Sequence, residues 1–415
     1  MKILFIAPTP FFSDRGCHTR ILGEYLSLVK LGHQIEMVTY HLGKDAEGVK
    51  IHRTPNIPWY KKIEAGPSYH KIYIDCLLLF KALIRAVRFK PDIIHGHLHE
   101  GALIGSIVGR LTRTPAIADM QGSLFRELID HNFFKQNGMM SRIWKSIENV
   151  ILKMPKFIIS SSEFTSDYFH KEHGVPLEKI RTVNDGTNTH LIHPIKKSEK
   201  LLSSLGIPKD KKVVIYVGVL TKYQGVDLML ETLVHLKRMG TNIFFLIIGF
   251  PKVEYYKQMA KELGVADIVK FTGRISYFDI NKYLNIADIG ITAKLSKTEA
   301  NIKVLDYMAA GLPVVLFDSK INKDLMREHG IYCKYGDVKD LALKIDKLSK
   351  KQKLIEDLKP KVRRHVVDEF SWNKEAEKIE NIYKKILDSN RGKTDMPTVD
   401  AIMFPLCFFS CIFFE

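Results

Sequence analysis

Cysteine is scarce in this chain: five residues in 415, at Cys17, Cys76, Cys333, Cys407 and Cys411. They show neither paired metal spacing nor the density of a disulfide framework, which excludes a small secreted scaffold and fits a reducing cytosol. Acid is in deficit, with 46 Asp and Glu against 63 Lys and Arg, a formal net charge of +17. Such an excess turns the chain toward anionic partners: nucleic acid, acidic lipid or phosphorylated small molecules. Nucleic acid is the weakest of these, because zinc spacing, a helix-turn-helix pattern and an aromatic RNA-binding signature are all missing. Long apolar runs are missing too. The run after Met1 and Lys2 spans only Ile3 to Ala7, short of a signal-peptide core, and reads as a first strand. The uncharged tail from Ala401 to Phe414 falls short of the roughly twenty residues a spanning helix needs, and Pro405 interrupts it. No Gly-x-Gly-x-x-Gly follows the first strand, which argues against a dinucleotide-binding dehydrogenase.

What the chain does have is strand–helix alternation, twice over. Its length exceeds one ordinary core, and 46% hydrophobic with 26% charged residues suits two globular α/β domains. KILFIAP, QIEMVTY, DIIHGH, PAIADMQG and KFIISSS are apolar runs separated by stretches of helical period, such as Ile21, Leu22, Tyr25, Leu26 and Leu28 before Gly32. This rhythm predicts a parallel doubly wound sheet. Residues 184–212 turn polar and read as a linker. A second alternating unit follows, with KVVIYVGV, IFFLIIG, IVKFTG, IGITA and PVVLFD as strands. The expected division is 1–190 as an acceptor-side domain and 191–371 as a donor-binding domain. A helix over about 372–388 is expected to pack back on the first domain, and 389–415 is a tail.

Five segments in one order resemble the family-4 retaining glycosyltransferases. The most specific is TEANIKVLDYMAAGLPVVLFD (Thr298–Asp318), similar to the family's acidic-residue-to-EAMAAGLPVV donor motif. The others are YVGVLTKYQGVDLMLE, VNDGTNTHLIHP, LGHQIEMVT and KPDIIHGH. The resemblance spans about residues 1–387. It implies the GT-B fold, two Rossmann-like domains facing across a cleft. It also implies transfer of a hexosyl unit from a UDP- or GDP-sugar, with retention, to a glycan, lipid-linked or small-molecule acceptor. No metal or other cofactor is implied. Two other readings stay open: a nucleotide-sugar epimerase of the same fold, and a non-catalytic nucleotide-sugar-binding subunit. The departures are specific. The family's glutamate pair falls on Thr298 and Asp306, its GRLxxxKG basic pair on Val219 and Gln224, and its first-domain histidine on Gln121.

Breaking a nucleotide-sugar bond builds negative charge on the diphosphate, which calls for preorganised cations and N–H donors. The loop 296–303 leads into a helix, so its amides and dipole can face the phosphates, with Lys303 and Lys222 as cations. Gln224 and Asn301 join the donor set, and Gly16, in the loop after the first strand, would let backbone approach closely. Asp306 is expected on the ribose hydroxyls and Glu299 on the donor-sugar hydroxyls near the anomeric carbon. Surface charge, capping or a simple turn is the plain alternative for each. On the acceptor side, Asp119, Gln121 and His97 are the candidates. Alternation is taken to send His95 and His99 to one side and His97 to the other, lining the cleft. Residues 51–90 carry Trp59 and many cations. They could rest on an anionic membrane, or simply pack an apolar face on the sheet with solvated cations outside. The expected location is cytoplasmic, with peripheral membrane attachment as a candidate.

Overall fold

Every strand pairing among the described residues is parallel. The computed structural model of the chain describes residues 1–13, 16–63, 70–124, 138–295 and 301–391. They form two units, Met1–Asn184 with the segment from Glu375 onward, and Asp185–Lys374. The boundaries therefore fall a few residues from those expected. The final helix, Trp372–Arg391, gives the first unit its residues from Glu375 on, among them Tyr383, whose hydroxyl lies 2.6 Å from Nδ1 of His95.

The first unit holds seven strands: β1 (Lys2–Ala7), β2 (Gln34–Thr39), β3 (Ile51–Arg53), β4 (Ile93–His97), β5 (Ala116–Met120), β6 (Phe157–Ser160) and β7 (Ile180–Thr182). Their order is β3-β2-β1-β4-β5-β6-β7. Helices cover both faces, so the central strands are buried on both sides and run apolar almost without interruption. The second unit has β8 (Lys212–Val217), β9 (Ile243–Ile248), β10 (Val269–Gly273), β11 (Ile289–Thr292), β12 (Val314–Phe317) and β13 (Ile331–Cys333), ordered β10-β9-β8-β11-β12-β13. Alternate residues of β8 serve its two cores: Val214 and Tyr216 on one face, Val213 and Ile215 on the other.

In each unit the winding reverses once, between β1 and β4 and between β8 and β11. The loops leaving two such neighbours run apart, opening a crevice beyond their carboxyl ends, where open α/β sheets bind ligands. Residues 184–212 are not a loose linker. Ile192, Leu202 and Ile207 lie in a core of the second unit, and the Thr187 amide donates to the Phe370 carbonyl. The polar letters of that stretch masked three well-spaced apolar anchors. No described helix is long and apolar enough to cross a membrane; the apolar tail lies outside the described residues.

At the second reversal the backbone comes close to itself. Gly225 has φ +75°, and a Cβ there would lie 1.9 Å from the carbonyl oxygen of Ala293. Gly240 has φ +65° with nothing within 4 Å. Gly225→Ala thus combines left-handed strain with a clash, while Gly240→Ala carries strain alone, on the order of 1 kcal/mol. The first should lower the thermal midpoint clearly more than the second, by the equivalent of about 2–3 kcal/mol. Equal shifts would mean the turn relaxes freely.

Candidate functional site

The second unit's crevice is built around a glycine turn. Tyr216 and Tyr307 fix it from two sides. The Tyr216 hydroxyl donates to the Val219 carbonyl at 2.9 Å, and the Val217 amide donates to the Tyr307 hydroxyl at 2.8 Å. Both rings are buried, and burial pushes both phenols up, keeping them neutral donors and acceptors. Between them Gly218 has no room for a side chain, since a Cβ would meet the Tyr216 hydroxyl at 2.8 Å and Cε of Lys303 at 2.9 Å. Gly249, at the end of β9, is tighter still, its Cβ position lying 1.8 Å from the Gly218 carbonyl oxygen.

Lys303 lies across this turn. Its Nζ donates to Oε1 of Gln224 at 2.8 Å and to Oδ1 of Asn301 at 3.2 Å, and sits 5.5 Å from the Tyr216 ring centroid. Gln224 is buried at the end of a 3-10 turn, Lys222–Gln224, and Lys303 is half-buried at the first position of helix Lys303–Ala309. Asn301 is 2% exposed, and both ends of its amide are used. Nδ2 donates to Oδ1 of Asn322 at 3.1 Å, and Asn322 in turn donates to the Phe317 carbonyl. Asn301, expected to touch the donor, accepts from Lys303. Lys222 is exposed in its turn and does not join the cluster. Two amides expected to face a phosphate are already engaged, Val304 with the Asn301 carbonyl and Leu305 with that of Ile302. Glu299 lies outside the described residues. Asp306 accepts from the Thr187 hydroxyl at 2.7 Å.

The first unit's reversal is a buried charge network. Arg20 on helix Gly16–Lys30 places its guanidinium on Asp119 with two N–H groups, at 2.7 and 3.0 Å, and donates to the Val183 carbonyl. Its Nε also lies 3.0 Å from Glu24. Burial opposes the Asp119 charge, but Arg20 and the His97 bond outweigh it and hold the carboxyl far below its ordinary range. His97 is fully buried, bonded to Asp119 at 3.2 Å and stacked on His95 at 4.4 Å between centroids. The expected separation of these histidines is wrong, because residues two apart on a strand share a face. His97 and Asp119 are both fully buried. Gln121 just beyond β5 is half-buried, with Nε2 3.4 Å from Asp119. Gly16 is exposed at the head of its helix, next to residues outside those described.

Arg20, Glu24, His18, Glu148 and the two tyrosines were not singled out from the sequence. His18 accepts the Ser13 amide at Nδ1 and meets the Thr9 hydroxyl at Nε2, tying down the loop after β1. Glu148 gathers His99, His173, Ser123 and the Leu124 amide, which fixes the loop behind Gln121. Burial opposes its charge and these partners prevail, bringing it down to about 2. Ligand atoms of Glu24, His95, His97 and Asp119 lie within 4.8 Å of one another, a grouping that sequence spacing did not foretell. Those residue types could hold a divalent ion, but Arg20 already lies on both carboxylates and supplies positive charge there.

A family model described as glycosyl transferases group 1 matches residues 197–365, and one described as a glycosyl transferase 4-like domain matches residues 15–186. The chain is 23% identical over 388 residues to a sulfoquinovosyl transferase of Arabidopsis thaliana, covering 91% of this chain and 72% of that protein. It is 24% identical over 417 residues to alpha-monoglucosyldiacylglycerol synthase of Streptococcus pneumoniae, covering 97% and 90%. Among solved structures, Anabaena HepE in complex with UDP and glucose is similar with a TM-score of 0.72 at 17% identity, covering 93% of this chain and 100% of that one.

Asp306 has a pH signature. Burial raises its carboxyl to about 7, the Thr187 bond opposing only in part. A carboxyl raised on folding contributes stability that is complete below its unfolded value and is lost as pH rises through the folded value. Asp306→Asn removes that loss. The variant's melting temperature relative to the parent should therefore climb between about pH 4 and about pH 7 and level off above that. A difference that stays flat, or falls, would mean Asp306 is charged throughout.

Proposed function

The chain belongs to the group 1 glycosyltransferases and has the GT-B fold, and from that premise we propose that it moves a hexosyl unit from a UDP- or GDP-sugar to a glycan, lipid-linked or small-molecule acceptor, keeping the anomeric configuration. The observation that carries this reading is the Lys303 ammonium, held by Gln224 and Asn301 over the Gly218 turn at the point where the second sheet reverses. Both of these partners are amide oxygens, which orient the ammonium. A diphosphate leaving group lodged beside it meets a cation already in place, so little reorganisation is needed as negative charge grows. Asp306 is assigned to the ribose hydroxyls and Glu299 to the donor sugar. The UDP held by Anabaena HepE supports a nucleotide donor. The glucolipid product named for the pneumococcal relative supports a lipid among the acceptors.

Retention follows if the acceptor attacks the face from which the diphosphate departs, with a phosphate oxygen taking the acceptor proton. No protein base is then required, which suits Gln121 in the place of the family's histidine. The half-buried amide of Gln121, steadied by Asp119, would position a hydroxyl, and positioning supplies much of the rate.

Lys303→Ala should reduce transfer from the accepted nucleotide-sugar by about 100-fold or more, with its melting temperature close to the parent's. Near-parent turnover would remove Lys303 from the phosphate site. Titration calorimetry of the parent with UDP- and GDP-sugars, followed by proton NMR of the product, tests the rest. Tight binding without turnover favours the non-catalytic reading, conversion of the donor sugar alone favours the epimerase, and an inverted product sinks retention.

A further inference from the structure

The helix Lys71–Phe89 has two apolar faces, and the core of the first unit uses only one. Ile74, Leu78, Ala82 and Ala86 are buried in that core. On the opposite side Phe80, Ile84 and Val87 stand out at 63%, 48% and 61% exposure. Their spacing of four and three puts them on one stripe. Trp59, 73% exposed, extends the stripe at its head, its indole N–H donating to the Tyr73 hydroxyl at 3.1 Å. A helix on a soluble surface ordinarily turns polar residues outward here.

The charges around the stripe have one sign. The helix's only acid, Asp75, faces inward, accepts from the Tyr40 hydroxyl at 2.6 Å, and is pushed up by burial to about 8, which leaves it mostly uncharged at neutral pH. Lys71 is spent on Glu100 and Arg85 on Glu36. Lys81, Arg88 and Lys90 remain beside the stripe, Arg88 and Lys90 exposed and Lys81 half-buried. Exposed aromatic and aliphatic groups flanked by cations match the interface of a bilayer carrying anionic headgroups: rings and aliphatic chains enter the acyl boundary while the cations meet phosphate. A second copy of the chain fits poorly, since it would set these same cations, on a chain of net charge +17, against one another.

We propose that the outward stripe Trp59–Phe80–Ile84–Val87, with Lys81 and Arg88, is a docking surface for an anionic lipid bilayer. This does not rest on the donor assignment, because none of these residues belongs to the second unit. The test is co-sedimentation of the full-length chain with vesicles of phosphatidylcholine alone or with about 30% phosphatidylglycerol. The parent should bind the anionic vesicles, release with added salt, and ignore the neutral ones. Phe80→Ser combined with Ile84→Ser, and separately Lys81→Glu combined with Arg88→Glu, should each weaken binding at least tenfold, with melting temperature and nucleotide-sugar binding unchanged. If the double serine variant does not fold, Phe80→Ser alone decides, with a loss of at least threefold expected. The apolar tail is present in every variant, so undiminished binding by the serine and charge variants overturns the proposal. So does a parent that ignores anionic vesicles, or one that forms a dimer in ultracentrifugation that Phe80→Ser dissolves while vesicles go unbound.

Discussion

Where β8 and β11 part, the backbone has room for hydrogen and nothing larger at three successive places, Gly218, Gly225 and Gly249. That crowding governs the second unit's site. Gly249 lets the end of β9 come up against the Gly218 carbonyl, and Gly218 lets the Lys303 stem lie across the turn. Gly225 turns the chain into helix Val226–Arg238 right beside β11. The tyrosine hydroxyls of Tyr216 and Tyr307 then lock the turn that the glycines permit. A side chain at Gly225 or Gly249 would press on backbone carbonyl oxygens, and one at Gly218 would press on the Tyr216 hydroxyl and the Lys303 stem, shifting the ammonium.

The first unit solves the equivalent corner differently. There the crevice end is filled with ionisable groups set against one another: Arg20 with Asp119 and Glu24, His97 with Asp119, His95 with Tyr383, and Glu148 with His99 and His173. Removing one member of a buried pair of this kind typically costs about 3–5 kcal/mol, because the other is left charged and dry. These groups therefore fix the loops after β1 and β5 and offer little charge outward. On the proposed reading an anion is met by the second unit, where the half-buried Lys303 ammonium donates to two amide oxygens.

Much of this was legible in the sequence, and the failures have physical causes. The central strands announced themselves because parallel strands buried on both faces must be continuously apolar. The edge strands β3, β7 and β13, three residues each, carry no such run and were missed. Lys303 and Gln224 were named from the motif, and the structure brings them into contact across 79 positions. The contact of Asn301 with Asn322 was not foreseen, because nothing in the letters reveals that Asn322 accepts from its amide. Arg20 and Glu24 stand four apart on a helix, a spacing that usually marks a solvated surface pair, so their burial was invisible. Asp119 and His97 were placed at the right strand ends, but their burial depends on a guanidinium reaching across 99 positions.

The exchange of the lysine in the resembled GRLxxxKG pattern for Gln224 has a consequence of its own. Two ammonium groups at the 2.8 Å that separates Lys303 from Gln224 would repel until an anion arrived to bridge them. With glutamine the resting site is already satisfied, since the amide oxygen accepts what the ammonium offers. On the proposed reading, the positive charge facing a leaving diphosphate is lower, which weakens the long-range attraction. In return, the Lys303 ammonium would already be in position when a nucleotide arrives and need not be reoriented as charge develops. In a partly buried site the orientation of a charge counts as much as its number, because a fixed donor stabilises the transition state without rearrangement. On the proposed reading, electrostatic help would come through the Lys303 ammonium, and Gln224, Asn301 and Asn322, which set its position, would be as consequential as the lysine itself.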